Sequence, residues 1–519
     1  MFRRSFVCGL LAAPLAAEDI WSLARERRQD HVFSTLFEAE TVTKMLASDA
    51  DIDRAMDWCR KSAVTRVFIE SFRNGHQVAR PILEHAKERF LAAGFAVSSG
   101  VTTLGLGRRS TGWKLITCFT DPKSQERLKE VLEYTASLFD EIMIDDFLFT
   151  DCTCGECDRA RRARSVTIGG LTTTAAGDTW EDYRRELMVR LSRENMLAAA
   201  KKVNPRAQII VKYPQWYDKF QENGYDVAQQ TTDFDKIWVG TESRDHTLRK
   251  AGGQFAGVVQ YEGYFNMRWL DGIGGPKTGG GWYDPYDTSE STYIEQARQT
   301  VLAGARESML FCYGALVSGA GAKDMEALRP HLPALLDVSR EVRRRSIIGV
   351  AAYKPINSHA EDESYVFDFV GMTGLPLAPC HEFPTAAPAA FFSIHALKDS
   401  NFVAELGRFI AAAKPVLLTD GLARRLEGRI KLDATNVQIL GVNGKPAGLL
   451  ELTQTQLDRI RNPLLRPLKT SFQAPNQVSL YLFGDGSYVL ENFNDQPVNA
   501  VLNGRSIPVP ARDWILHWS

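Results

Sequence analysis

The sequence has almost no net charge and no long apolar run. Its 519 residues include 62 Lys and Arg against 63 Asp and Glu, so the formal net charge is -1. A nucleic acid or an anionic membrane surface as the main partner would require a basic excess, yet the longest basic run is residues 343–345. No apolar run reaches the roughly 18 residues of a membrane-spanning helix. We therefore expect neither a nucleic-acid partner nor a membrane partner.

Cysteine is scarce and unevenly placed. Of the eight cysteines, Cys8 lies in a predicted export signal, and the other seven are an odd number that argues against a disulfide framework. Three form the run Cys152-Thr-Cys154-Gly-Glu-Cys157, whose spacing is typical of three corners of a tetrahedral zinc site. Cys118 is the candidate fourth ligand, and four sulfur ligands would make the zinc structural. A set of buried free thiols is the alternative.

The N-terminus has the features of an export signal. Arg3 and Arg4 precede the apolar stretch 5–17, which ends in small residues before Glu18. The sequence Arg-Arg-Ser-Phe-Val also resembles the twin-arginine motif, whose pathway exports folded proteins. We predict an export signal over residues 1–17 and a periplasmic or secreted protein; a buried N-terminal helix is the alternative.

Residues 18–345 alternate short β-branched or aromatic runs with amphipathic stretches, which is typical of parallel strands joined by crossover helices. Eight strand candidates predict a (β/α)8 barrel, and they are residues 31–37, 66–71, 95–102, 141–146, 208–213, 236–240, 257–261 and 308–313. An open doubly wound sheet is the alternative. No G-x-G-x-x-G or P-loop sequence supports a nucleotide site.

The pattern of predicted strands and helices changes after residue 345. Residues 346–426 alternate strand and helix patterns, which predicts a small α/β domain of flavodoxin- or amidotransferase-like type. Residues 427–519 show short strands with turn signals such as Asn443-Gly444 and Asn503-Gly504, which predicts a small antiparallel β domain. We expect no catalytic group after residue 346 and a role of this region in assembly.

Acidic residues stand where the barrel strands are predicted to end, the face on which barrel enzymes carry their active sites. Asp145 and Asp146 directly follow the apolar strand four, and Glu242 and Glu262 follow strands six and seven. Aromatic residues surround several of them, an arrangement suited to sugar rings. Glycoside cleavage needs two such carboxyl groups. Each acid taken alone is as readily explained as a helix cap or an ion-pair partner.

Asp145-Asp146 and the cysteine run together resemble the family 42 glycoside hydrolases, the bacterial β-galactosidases. That family has a (β/α)8 barrel, a middle α/β domain that mediates trimer formation and a C-terminal β domain. The resemblance implies that Asp146 occupies the acid/base position and that Cys118, in Thr117-Cys-Phe-Thr-Asp-Pro122, completes a zinc site. It also implies a homo-oligomer, with a trimer suggested by the resemblance alone.

This chain departs from the family at two places. Where the family has Asn-Glu, it has Asp145-Asp146, and its nucleophile region is represented by Gln260-Tyr-Glu262. We therefore expect a divergent relative with a substrate other than a β-galactoside.

The leading hypothesis is an exported, retaining glycoside hydrolase with Asp146 as acid/base and Glu262 as nucleophile. A variant makes Asp146 the nucleophile and Glu242 the acid. The alternatives are a non-hydrolytic carbohydrate-binding protein on the same barrel and a polysaccharide lyase, for which Tyr213, Lys212 and His246 are candidate groups. The predicted substrate contacts are Asp145, Glu70, Tyr213, Trp216, Tyr261 and Arg244.

Overall fold

Eight parallel strands form a closed barrel in the computed structural model, which describes residues 17–245 and 259–519. Each strand pairs with the next along the chain, and the last pairs with the first, so the sheet has no open edge within the ring. The barrel predicted from the sequence is confirmed. The strands are β1 (Val32–Phe37), β2 (Val64–Arg73), β3 (Ala96–Val101), β4 (Glu141–Ile144), β5 (Gln208–Tyr213), β6 (Lys236–Gly240), β7 (Thr278–Tyr283) and β8 (Glu307–Leu310).

Helices connect the strands on the outside of the barrel. Side-chain caps start several of them: Asp121 accepts from Ser124 N at 2.9 Å ahead of Pro122, and Ser289 forms a capping box with Thr292. The stretch 180–203 is helical throughout, with a π-helical segment at Ser192–Ala198. The α-helices of this region are Ala17–Glu26, Ala39–Met45, Asp49–Lys61, Arg80–Ala92, Pro122–Ala136, Gly155–Arg162, Trp180–Leu191, Ala199–Val203, Val227–Asp233, Tyr261–Gly274, Glu290–Leu302, Tyr313–Ser318, Ala322–Leu328 and Leu332–Arg343.

The seventh strand is not where the sequence predicted it. Residues 257 and 258 lie outside the described part of the chain, and the helix Tyr261–Gly274 begins where the predicted strand would end. The strand is instead Thr-Gly-Gly-Gly-Trp-Tyr, residues 278–283. A Cβ at Gly281 would lie 2.5 Å from Thr300 Cγ2, and one at Gly280 would lie 2.5 Å from the Glu307 carbonyl oxygen. Close packing thus requires glycines that β-propensity disfavours.

Inward-facing side chains fill the barrel in layers. The apolar layer is Leu36, Phe68, Met143, Ile210, Trp238, Trp282 and Met309. At the amino-terminal ends of the strands, Arg66 bridges Glu141 and Glu307, the latter at 3.0 Å. Because side chains alternate along a strand, the residue two positions beyond each apolar one also faces inward, at the carboxyl end. Several of these positions are polar: Glu38, Glu70, Asp145, Lys212 and Asp284.

A five-stranded parallel sheet follows the barrel. Its strands, in spatial order, are Leu377–Cys380, Val350–Tyr353, Ala390–Phe392, Val416–Thr419 and Val437–Leu440. The last of these strands lies beyond residue 426, where the sequence placed the end of this domain. It pairs with Val416–Thr419 and is therefore part of the same sheet. The helices of this region are Val366–Met372, Phe402–Ala411 and Asp420–Leu426.

Antiparallel strands complete the chain after the helix Gln454–Leu465. One sheet contains Ile347–Ile348, Val478–Phe483, Tyr488–Asn492 and Trp514–His517, and another contains Phe472–Gln473, Val498–Leu502 and Arg505–Val509. Short pairings lie beside the barrel, at His76–Gln77 and in the hairpin Ser165–Ile168 with Leu171–Thr174. Across the described residues, no helix combines the length and apolarity that crossing a membrane would require.

Buried polar contacts join the barrel to the parallel sheet. His395 Nε2 lies 2.8 Å from Asp218 Oδ1, and the Tyr365 backbone N–H donates to Asp218 Oδ2 at 2.7 Å. The Tyr217 hydroxyl donates to Asp368 at 2.9 Å. Because unpaired buried carboxylates are costly, these partners hold the two units in one arrangement.

Two helical glycines provide a matched test of this junction. A Cβ at Gly371 would overlap the Tyr261 ring, whereas one at Gly407 would make only ordinary contact, 3.6 Å from Ile430 Cδ1. We expect Gly371→Ala to lower the free energy of unfolding by about 1 to 3 kcal/mol through overpacking. Gly407→Ala should raise it by about 0.5 to 1 kcal/mol, since alanine suits a helix better than glycine. Denaturant unfolding measures both, and equal values would contradict the packing described.

Candidate active site

Lys212 brings together two carboxyl groups at the open end of the barrel. Its ammonium nitrogen lies 2.8 Å from Asp146 Oδ2 and 2.5 Å from Glu242 Oε1. It also lies 3.9 Å from Asp145 Oδ1 and sits over the Trp282 ring, 4.1 Å from its centroid. Lys212 and Glu242 have side chains only 2% exposed, whereas Asp146 is 15% exposed. Asp146 is therefore the more accessible member of the pair.

Asp145 also belongs to a second network, which contains Arg73, Glu70 and Thr102. Its Oδ2 accepts from Arg73 Nη2 at 2.7 Å, and Arg73 Nε donates to Glu70 at 2.8 Å. The Thr102 hydroxyl lies within hydrogen-bond distance of both Glu70 and Asp145, at 2.6 and 3.0 Å. The other oxygen of Asp145 accepts from the backbone N–H of Asp146 at 2.8 Å. Asp145 thus orients the strand end that carries Asp146.

The two adjacent aspartates have opposite pKa shifts. Burial raises the pKa of Asp146 to about 8, and the charges of Asp145 and Glu242 add to this against the opposing effect of Lys212. Burial also acts to raise the pKa of Asp145, but Arg73 and Lys212 outweigh it and hold that pKa below its ordinary value. Burial raises the pKa of Glu242 as well. Neighbouring carboxyl groups with separated pKa values are what acid/base chemistry requires.

Arg244 and Asp284 form a further buried pair beside Glu242. Arg244 Nη2 lies 2.5 Å from Asp284 Oδ2, and its Nε lies 3.2 Å from Asp284 Oδ1, a two-point contact. Sequence reasoning missed Asp284 because the glycine-rich β7 was not recognised as a strand. The signal that identifies it is its position directly after Trp282-Tyr283, at the end of that strand.

Several residues predicted for the site do not reach it. Tyr213 is fully buried and its hydroxyl contacts Thr231 at 3.0 Å, because Lys212 takes the inward position on β5. Tyr261 is also fully buried and stacks on Tyr481, with ring centroids 5.7 Å apart. The structure gives neither tyrosine the substrate contact that the sequence predicted.

Glu262 is not at the end of a barrel strand. It lies in the first turn of the helix Tyr261–Gly274, and the prediction that placed it after strand seven is wrong. It is 1% exposed, and burial, with the charges of Asp368 and Glu242, raises its pKa well above the ordinary value. Glu70 is fully buried, and its carboxylate is already bonded to Arg73, Thr102 and the Ala39 N–H. Trp216 is half-buried, and His246 lies outside the described residues.

Four cysteines meet beside the mouth of the barrel. The sulfur atoms of Cys118, Cys152, Cys154 and Cys157 all lie within 4.8 Å of one another. Cys118 Sγ is 3.6 Å from Cys157 Sγ and 4.0 Å from Cys154 Sγ. These separations are too long for disulfides and match the edge of about 3.8 Å in a tetrahedron with metal–sulfur bonds of about 2.3 Å.

The surroundings of the cluster also suit a metal. Arg108 Nη2 lies 3.3 Å from Cys118 Sγ, so a cation faces the negative charge that bound thiolates would carry. Cys118 belongs to the loop after β3, and the other three belong to the loop after β4 and the helix Gly155–Arg162. Four sulfur donors would occupy every coordination position of a tetrahedral ion and leave none for a substrate. The residues therefore fit a structural role rather than a catalytic one.

The barrel carries its carboxyl groups at the carboxyl ends of the strands, which is where barrel enzymes have their active sites. Comparison with known families agrees with this class of protein. Residues 18–329 match the family described as "Probable glycosyl hydrolase, catalytic domain". This match covers more than half of the chain, and the chain belongs to that family. An uncharacterised protein of Saccharolobus solfataricus is 24% identical over 347 residues, which are 63% of this chain and 56% of that relative. The chain thus spans little more than half the length of this curated relative.

Solved structures share the fold across nearly the whole chain. The α-L-fucosidase isoenzyme 2 of Paenibacillus thiaminolyticus superposes with a TM-score of 0.60 at 10% identity, over 91% of this chain and 93% of that one. The apo exo-carrageenase of family GH42 from Bacteroides ovatus superposes with a TM-score of 0.57 at 9% identity, over 94% of this chain and 82% of that one. At these identities the likeness concerns the fold.

The cysteine cluster generates a test with a matched control. We expect about one thiophilic metal ion per chain, and Cys152→Ser should abolish its binding and lower the melting temperature by at least about 5 °C, because a structural ion contributes directly to folding. Cys380→Ser, outside the cluster, should keep the ion. Elemental analysis of protein purified without chelator measures both variants. Full metal content in Cys152→Ser would contradict the assignment.

Proposed function

We propose that the protein is a glycoside hydrolase whose carboxyl pair is Asp146 and Glu242. The observation that carries this proposal is the shared contact with Lys212. Two oxygens at 2.8 and 2.5 Å from one nitrogen are at most about 5.3 Å apart. Retaining glycosidases place their carboxyl groups about 5 to 5.5 Å apart, and inverting ones about 6.5 to 9.5 Å apart. The geometry supports a retaining mechanism.

Asp146 is proposed as the acid/base. A pKa of about 8 keeps it protonated at neutral pH, and its partial exposure lets it reach the leaving oxygen. Asp145 and Arg73 hold it in place without competing for that proton, since Asp145 stays ionised.

Glu242 is proposed as the nucleophile, in place of Glu262. Lys212 stabilises its carboxylate, and its Oε2 has no hydrogen-bond partner in the described part of the chain. One oxygen is thus positioned by the ammonium, while the other is buried and has no hydrogen bond within the described residues that would compete with a bond to the sugar. The sequence also offers Asp146 and Glu242 as a pair, with Asp146 as the nucleophile and Glu242 as the acid. The present proposal keeps this pair and exchanges the two roles.

Finer features of the proposal rest on the sequence. Zinc is the proposed ion, since four cysteine sulfurs within 4.8 Å of one another can supply the tetrahedral thiolate set that it prefers. The cysteine cluster beside strand four, together with the order of barrel, parallel sheet and antiparallel sheets, supports a distant relation to family 42. Export by the twin-arginine pathway and assembly into a homo-oligomer through the region after residue 346 are proposed on the same basis. Residues 1–16 of the predicted export signal lie outside the described residues.

The catalytic roles are tested with chromogenic glycosides and oligosaccharides, including α-L-fucosides and carrageenan fragments because of the names that the structural relatives carry. Asp146→Asn should lower turnover at least about a hundredfold, the low end for removing a general acid. Asp140→Asn, an exposed carboxyl directly before β4, should leave turnover unchanged. Azide added to Asp146→Asn should yield a glycosyl azide of retained configuration. An azide of inverted configuration would make Asp146 the nucleophile, and sugar binding by the wild type without turnover would favour a carbohydrate-binding protein.

The pKa of Asp146 sets a limit on activity at high pH. Because the acid must be protonated, kcat/KM should fall as the pH rises through about 8. Asp145→Asn removes a negative charge that raises this pKa, so its alkaline limb should move to lower pH. The pH–rate profiles of both proteins measure this. If the alkaline limb of the variant is unchanged, the charge of Asp145 does not raise the pKa of Asp146.

A further inference from the structure

The loop after β3 forms a small hairpin that carries Trp113 at its tip. The Ser110 N–H donates to the Ile116 carbonyl at 2.8 Å, and the Cys118 N–H donates to the Arg108 carbonyl at 2.7 Å. The hairpin therefore ends at Cys118, a member of the cysteine cluster. Whatever holds Cys118 also holds the base of this hairpin.

Asp151 holds the tip of the hairpin. Its carboxylate accepts from the backbone N–H of Trp113 at 2.6 Å and from the Ser110 hydroxyl. A Cβ at Gly112 would overlap this carboxylate, so the two segments are in close contact. Asp151 immediately precedes Cys152, and the Thr111 hydroxyl lies 3.7 Å from Cys152 Sγ. The hairpin is thus attached to the cluster at both its base and its tip.

Trp113 packs against aromatic residues beside Asp146. Its ring centroid is 5.7 Å from that of Phe147 and 6.4 Å from that of Phe149, which lies 5.2 Å from Trp216. Trp113, Phe147 and Trp216 are half-buried, and we call these three residues the aromatic wall.

The aromatic wall is continuous with the proposed acid. Phe147 follows Asp146 in sequence, and Tyr225, which packs 5.6 Å from Trp216, donates its hydroxyl to the Asp146 carbonyl at 2.9 Å. Partly exposed aromatic faces beside a catalytic carboxyl group suit the apolar faces of sugar rings.

We propose that the aromatic wall is a sugar-binding subsite and that the metal-loaded cysteine cluster sets its position through Asp151 and the Trp113 hairpin. This inference rests on the proposed function for the identity of the ligand. Asp151 is a positioning residue, since its contacts are with the hairpin. Loss of the metal frees Cys118 from the other three cysteines, and Trp113 then loses its fixed place against Phe147.

The positional part is tested without substrate. Acrylamide quenching of tryptophan fluorescence is compared before and after metal removal with 1,10-phenanthroline, in wild type and in Trp113→Phe. Metal removal should increase quenching in wild type, and this difference should be lost in Trp113→Phe. Trp518→Phe, which removes a half-buried tryptophan of the C-terminal region, should retain the difference. Asp151→Ala should keep about one ion per chain and yet show the increased quenching. Equal quenching of Trp113 with and without metal overturns the coupling.

The binding part is tested on the glycoside that the wild type hydrolyses. Trp113→Ala and Asp151→Ala should each raise KM roughly 3- to 10-fold, the range for one lost stacking contact, with kcat changed less than about twofold. A fall in kcat at constant KM overturns the subsite. If the wild type hydrolyses no glycoside, binding to a glycan array replaces this measurement. Binding retained by Asp146→Asn and lost in Trp113→Ala supports the subsite although the proposed hydrolysis fails. An array that the wild type does not bind overturns it.

Discussion

One buried ammonium group holds the mouth of the barrel together. Lys212 lies among Asp145, Asp146 and Glu242, and Arg73 is the second cation beside Asp145. Burying three carboxyl groups beside two cations is tolerable only because they do not all ionise. The proton that this arrangement retains lies on Asp146, whose pKa is raised to about 8. The requirement for charge balance thus produces an acid and a carboxylate within reach of one another.

The rest of the mouth supports that balance. Arg73 pairs with both Glu70 and Asp145, and Arg244 pairs with Asp284, so each of these fixed carboxyl groups contacts a cation. Asp146 is the carboxyl group that remains partly exposed, and Glu242 Oε2 is buried without a hydrogen-bond partner among the described residues. Buried networks of this kind are rigid because every broken contact leaves an uncompensated charge.

Three of the four cysteines and the proposed acid Asp146 lie on the same connection, the one that follows β4. Asp145 and Asp146 begin this connection, Phe147, Asp151, Cys152 and Cys154 follow in the loop, and Cys157 lies in the helix Gly155–Arg162. A single connection of the barrel therefore carries the proposed acid, an aromatic face and most of the metal ligands. The proposed coupling between the cluster and the mouth acts through these few residues.

The sequence by itself determined the features that follow from local pattern. Alternating strand and helix patterns predicted the barrel, cysteine spacing predicted the cluster, and the acids after strand four predicted the position of the candidate site. Tertiary structure decided the rest. Packing against Thr300 and Glu307 requires the glycines of β7, so that strand carried no apolar signal and Glu262 was taken for its final acid. Whether Lys212 or Tyr213 faces the barrel interior depends on the register of β5 with its neighbours, which the barrel imposes. Asp146, Lys212 and Glu242 are distant in sequence, and only the pairing of the neighbouring strands β4, β5 and β6 places them around one nitrogen atom.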